Sequence, residues 1–180
     1  LDPRSRELRK RYEDNVEAVL RGSASKIAQI KFAMSGTDDY PDASFTLRLS
    51  YASVKGYVND KGERVPFTTR TEGLYRRATG EEPFKLPESW LKAKSKLNPR
   101  SSFNFVSTGD THGGNSGSPT VNRNGEVVGI LFDGNLEGLP NRFVYTDETA
   151  RSVHVATEVI TESLRKVYGA DRILKELGTK

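Results

Sequence analysis

Seven consecutive residues, Gly113-Gly114-Asn115-Ser116-Gly117-Ser118-Pro119, crowd small side chains around a single hydroxyl. That pattern suits acyl transfer by serine. The attacked carbonyl becomes an oxyanion that needs backbone N–H groups aimed at it from a tight turn, and a turn so crowded tolerates little besides glycine. Ser116 is therefore the candidate nucleophile, and the N–H groups of Gly114 and Ser116 are the candidate oxyanion donors. A bare G-x-S-x-G would carry little weight. Here Gly-Asn-Ser-Gly-Ser-Pro precedes a turn at Asn124-Gly125 and the apolar run Val127-Val128-Gly129-Ile130-Leu131-Phe132, so the serine lies on a loop that leads into a strand. The plain alternative is a glycine-rich hairpin loop with a solvent-exposed serine.

A serine nucleophile needs a base, ordinarily a histidine oriented by a carboxylate, and the chain has two histidines. His112 lies four residues before Ser116 in the same loop, where its ring is poorly placed to meet the serine hydroxyl while an acid holds it from behind. His154 falls in the strand-like Ser152-Val153-His154-Val155 with no acid nearby in sequence. Both are expected to be packed or solvent-facing, not catalytic. Asp110 is expected to brace the loop as a hydrogen-bond acceptor, not to serve as a triad acid. The serine thus stands without its partners.

The chain of 180 residues begins with Leu1 and opens on a charged helical pattern, which suggests the C-terminal fragment of a longer protein. It is long enough for one domain with a real core plus an appendage. Absence of cysteine excludes disulfides and thiolate metal sites. The net charge of +4 is modest, and Lys and Arg are interspersed with acids and lack interleaved aromatics, which argues against a nucleic-acid footprint. No segment is apolar enough to span a membrane.

Asp2-Pro3 reads as an N-cap with proline at the first helical position, and Leu8, Tyr12, Val16, Val19 and Leu20 mark one face, predicting a helix over 3–21. A second short helix is expected over 25–34, stopping at Gly36. Alternation of Phe45, Leu47, Leu49 and Tyr51 with polar residues predicts a strand, and residues 54–58 continue extended. Residues 59–101 read as irregular apart from a turn at Asp60-Lys61-Gly62 and a short helix over 87–96 carrying Trp90. Strands are expected around Phe103–Ser107, over 127–132 and over 152–156. A closing helix displays Val159, Ile160, Leu164, Val167 and Tyr168, ends at Gly169, and precedes a last helix capped by Asp171. The fold class is mainly β with flanking helices, in the form of a six-stranded barrel.

Three further segments, Tyr40-Pro41-Asp42-Ala43-Ser44-Phe45-Thr46-Leu47-Arg48, Thr79-Gly80-Glu81-Glu82-Pro83-Phe84 and Phe132-Asp133-Gly134-Asn135, join the serine loop in a pattern that resembles serine peptidase family 46. These are the bacterial dipeptidyl-peptidases of the dipeptidyl-peptidase 7 and dipeptidyl-peptidase 11 types. The resemblance implies a chymotrypsin-like double β-barrel interrupted by a helical cap domain, with residues 1–36 as the last cap helices and 37–180 as the C-terminal barrel. It places the catalytic histidine and aspartate upstream, so that this chain alone would be inactive. It further implies release of dipeptides from peptides with free N-termini, no metal or organic cofactor, export to the periplasm or cell surface, and a possible homodimer of the full-length enzyme.

Carried over by position, the resemblance makes Ser116 the nucleophile, Gly114 an oxyanion-hole residue and Asp133 the carboxylate that binds the substrate ammonium. Gly134 would line the S1 pocket, where acid-specific members carry an arginine, which implies an apolar or broad P1 preference. Gly109-Asp110-Thr111-His112 departs from the Asn-Asp-Ile-Thr common in the family, and His112 is a candidate for the cleft rim. Two other function classes stay open: an endopeptidase of the glutamyl or trypsin type, and a non-catalytic peptidase-like module.

Overall fold

The computed structural model describes residues 2–36 and 47–179. The chain forms two compact units, Leu1–Arg48 and Leu49–Lys180. Helix α1 (Pro3–Tyr12) starts as the sequence predicts, with the Asp2 side chain accepting from the Arg4 N–H at 3.1 Å and Pro3 at the first helical position. The expected break near residue 22 does not occur. A π-helical turn (Glu13–Glu17) joins α1 to α2 (Ala18–Ser35), so the helical run continues from 3 to 35. Gly22 costs the helix about 1 kcal/mol relative to alanine but keeps its N–H, so unlike proline it weakens the ladder without cutting it. Gly36, at φ 59°, ends the run and donates to the Phe32 carbonyl.

The expected strand over 45–51 is not formed by its described part, residues 47–51, and Phe45 lies outside the described residues. Leu47, Leu49 and Tyr51 are exposed, Leu47 at 99%. Period-2 alternation reports which face a strand would bury, not whether a neighbouring strand is there to pair with it. Pairing begins only at Val54, which bridges Ser107, and β1 (Tyr57–Val58) then forms a hairpin with β2 (Arg64–Val65). The predicted turn at 60–62 closes it, with Gly62 at φ 76° and the Asn59 side chain accepting from the N–H groups of Lys61 and Glu63.

Strands β3 (Thr68–Arg70), β4 (Ser102–Ser107), β5 (Pro119–Val121), β6 (Val127–Gly134) and β7 (Ser152–Ala156) form one antiparallel sheet in the order β3-β4-β7-β6-β5. Among the described residues this five-stranded sheet does not close, so the expected six-stranded barrel is not seen. Residues 47–51, the described part of the segment expected to add a strand, join no strand, and among the described residues β3 and β5 are the edges. Helix α3 (Thr71–Arg77) lies in the stretch read as irregular, whereas α4 (Glu88–Ala93), with its 3₁₀ extension Lys94–Lys96, matches the predicted helix around Trp90. Helix α5 (Thr157–Lys166) leads through Gly169, at φ 60°, to α6 (Asp171–Glu176).

The core sits where Phe105, Leu131, Ala156 and Val159 are buried together with His154. The Phe105 ring stacks on the His154 imidazole at 4.7 Å with planes 3° apart. This requires Gly129. A Cβ there would stand 2.5 Å from Phe105 Cε1 and 2.8 Å from the Val155 carbonyl oxygen.

Candidate active site

The serine loop runs from β4 to β5 and is built from its own polar groups. Asn115 braces it twice, its side-chain oxygen accepting from the His112 N–H at 2.8 Å and its N–H donating to the His112 carbonyl at 3.1 Å. Gly114 (φ 103°) and Gly117 (φ 90°) adopt backbone geometry that L side chains rarely take, and both flank the serine. The N–H groups of Gly117 and Ser118 donate to the carbonyls of Leu131 and Asn115. Among the described residues, no acceptor engages the N–H of Gly114 or Ser116, the two donors that an oxyanion would need.

The Ser116 hydroxyl is exposed and donates to the Phe132 carbonyl at 3.3 Å. No histidine hydrogen-bonds to it among the described residues. His112 Nε2 lies 3.3 Å from Asp110 Oδ1, at a half-exposed position on the cleft wall. His154 is 5% exposed, hydrogen-bonded through Nδ1 to Thr120 Oγ1 (2.7 Å) and through Nε2 to Ser107 Oγ (2.8 Å). A neutral imidazole donates from one nitrogen and accepts at the other, so both partners are served without charge. Burial holds the His154 pKa down to about 4. It is a core residue.

The strand that carries Asp133 contains a register shift. Leu131 pairs with His154, but Asp133 pairs with Val153 and Gly134 with Ser152, so Phe132 is one residue too many on β6. Directly paired residues share a face. Without the bulge, Asp133 would pair with Ser152 and fall on the face of Leu131 and His154. With it, Asp133 lies on the opposite face, exposed, its Oδ1 accepting from the Gly134 N–H at 2.8 Å. The same bulge aims the Phe132 carbonyl at Ser116.

Ser116, His112, Asp133 and Gly134 thus line one cleft of about 250 Å³. Its far wall is the 3₁₀ segment Leu136–Arg142, which contributes Gly138, Leu139 and Arg142. Its floor includes Ser152, which donates to the Gly109 carbonyl (2.7 Å) and accepts from the Thr111 hydroxyl (2.6 Å). Ser116 and Asp133, singled out by the sequence reading, line the same cleft, whereas this wall was missed. Leu139 and Arg142 lie in a stretch with no motif to mark them. Arg151 and Asn135, also in the lining, were missed as structural anchors; Asn135 had its place beside Asp133-Gly134 as a signal, whereas Arg151 had none.

Known proteins share sequence and fold with this chain. The chain is 36% identical over 169 residues to an Asp/Glu-specific dipeptidyl-peptidase of Shewanella putrefaciens, covering 77% of this chain and 23% of that protein. It is 33% identical over 150 residues to a dipeptidyl-peptidase 7 of Phocaeicola vulgatus, covering 76% and 20%. The crystal structure of Porphyromonas endodontalis DPP11 in complex with the dipeptide Arg-Asp matches with a TM-score of 0.75 at 26% identity, covering 86% of this chain and 24% of that one. The chain spans about a quarter of the length of the relatives it matches. Over residues 1–179 the sequence matches the Peptidase S46 family, and the chain belongs to it.

Proposed function

We propose that this chain is the nucleophile-bearing part of a serine dipeptidyl-peptidase that releases dipeptides from free peptide N-termini. The observation that carries the reading is that Ser116 and Asp133 line one cleft while no histidine within the described residues reaches the serine. In this reading the substrate ammonium pairs with the Asp133 carboxylate, which sets the scissile bond two residues away at Ser116. A histidine from outside this chain takes the Ser116 proton as Oγ attacks the carbonyl carbon. The N–H groups of Gly114 and Ser116 hold the oxyanion until the C–N bond breaks, the amine leaves with the returned proton, and water then hydrolyses the acyl-enzyme. The isolated chain is accordingly inactive. The reading includes export to the periplasm or cell surface and a homodimer of the full-length enzyme, supported by family resemblance and testable by cell fractionation and sedimentation.

For the P1 side chain we favour an apolar or broad preference. Gly134 brings no charge to the cleft, and the Arg151 guanidinium is spent on backbone carbonyls. A second reading, an acidic P1, is favoured by Arg142. This exposed cation lines the same cleft without an ion pair among the described residues, and relatives such as that of Shewanella putrefaciens are named Asp/Glu-specific.

The test is hydrolysis, by the full-length protein, of dipeptidyl fluorogenic substrates ending in Leu or Asp, each with a free and an acetylated amino terminus. Cleavage of the free forms alone supports the dipeptidyl-peptidase, and the Leu-to-Asp ratio separates the two P1 readings. Equal cleavage of acetylated substrates overturns the exopeptidase in favour of an endopeptidase. Cleavage of none supports a non-catalytic module.

A further inference from the structure

Asp133 and Gly134 are the last two residues of β6, an exposed strand end of the kind that frays first. An ammonium-binding carboxylate at such a place needs an anchor beyond the ladder. We propose that Asn135 and Arg151 are positioning residues that clamp this strand end and hold the Asp133 carboxylate at its working distance from Ser116. The inference rests on the reading of Asp133 as the ammonium site.

Every polar group of Asn135 is engaged. Its N–H donates to the Arg151 carbonyl (2.9 Å), its side-chain oxygen accepts from the Arg151 N–H (2.7 Å), its amide nitrogen donates to the Thr149 carbonyl (2.8 Å), and its own carbonyl accepts from Gly138 (3.1 Å). The reciprocal Asn135–Arg151 bonds extend the β6–β7 pairing one step past the final ladder pair, Gly134 opposite Ser152. They stop the strand end from peeling away.

Arg151 fixes the other side of the clamp. Its guanidinium is buried, the residue being 3% exposed, and it donates only to carbonyls: Nε to Lys55 and Nη2 to Gly56 (both 2.8 Å), Nη1 to Asp147 (2.8 Å) and Ala150 (2.6 Å). Among the described residues it has no carboxylate partner. A buried cation is costly unless its surroundings compensate it, and here the compensation is a ring of carbonyl dipoles supplied by two segments. One side chain thereby locks residues 55–56 and 147–150 against the backbone that Asn135 grips.

The mechanism predicts a binding defect, not a chemical one. In the full-length protein, assayed with a free-amino dipeptidyl fluorogenic substrate, Asn135→Ala should raise KM about tenfold and leave kcat within about twofold. In an Asp133→Ala background the same change should cost less than about twofold more, because both act on one contact. Arg151→Lys, which keeps the charge but replaces five fixed donors by three mobile ones, should show the same signature and decides the matter if Asn135→Ala fails to fold. Losses that multiply in the double variant, a fall in kcat at constant KM, or a folded Arg151→Lys with the original KM would each overturn the clamp. Asp133→Ala with undiminished preference for free over acetylated substrate would instead overturn the ammonium reading beneath it.

Discussion

Acidification should unfold the sheet unit at a specific residue. His154 is buried, and burial holds its pKa near 4, whereas an unfolded chain titrates near the ordinary 6.5. Between those values the unfolded state binds the proton and the folded state does not, so stability falls as pH drops through this window and His154 adds nothing further below it. At about 1.4 kcal/mol per pH unit, the loss between pH 7 and pH 4 amounts to about 3 kcal/mol. Glu162 also loses stabilisation on acidification: burial raises its pKa, but hydrogen bonds from Lys166, Ser101 and the Asn98 N–H outweigh this and leave it lowered. A control is therefore needed. His154→Gln cannot titrate in this range, yet its amide can donate and accept towards Thr120 and Ser107. The assay is urea unfolding followed by fluorescence of Trp90, the single tryptophan, which packs 6.1 Å from Phe103 of β4. The wild-type midpoint should fall by roughly 1–2 M more than that of His154→Gln between pH 7 and pH 4. Equal shifts in the two proteins would refute the reasoning.

Three other outcomes follow from the same geometry. Ser116→Ala in the full-length protein should lower kcat on the order of 10⁴-fold or more, yet leave the urea midpoint unchanged, since the side chain is exposed and makes one long hydrogen bond. Gly134→Arg should fold normally, because a Cβ there meets nothing nearer than the Arg151 carbonyl oxygen at 3.6 Å, and should raise kcat/KM for an acidic over an apolar P1 by roughly ten- to a hundredfold, read by paired fluorogenic substrates. Gly129→Ala should destabilise the sheet unit by roughly 1–3 kcal/mol in the Trp90 assay, because the added methyl meets both the Phe105 ring and the rigid Val155 carbonyl.

What the sequence made legible was local. Asp2-Pro3 and Gly36 marked helix ends, Asp60-Lys61-Gly62 a hairpin turn, and the glycines around Ser116 a turn, because each signal is a constraint on nearby backbone. What stayed hidden depends on partners. Leu47, Leu49 and Tyr51 alternate as a strand should, but pairing is a property of two segments. The apolar faces of 3–21 and 25–34 read as two helices, yet the backbone ladder carries through the residues between them. Arg142 and Arg151 joined the site through folding alone, 26 and 35 residues from Ser116, with no spacing rule that could have announced them.

The extra residue on β6 separates two duties that otherwise look like one. Deleting Phe132 would leave Asp133 opposite Val153, on the same face of the sheet as now, but would remove the carbonyl on which the Ser116 hydroxyl rests. Strand length therefore matters here by parity: a single-residue deletion would disarm the serine's resting contact and spare the carboxylate. The tight turn at 122–126, closed by the Asn122 side chain, sets the register of β5 on β6 in the same way, so neither the turn nor the eight residues of β6 can change in number without moving a partner.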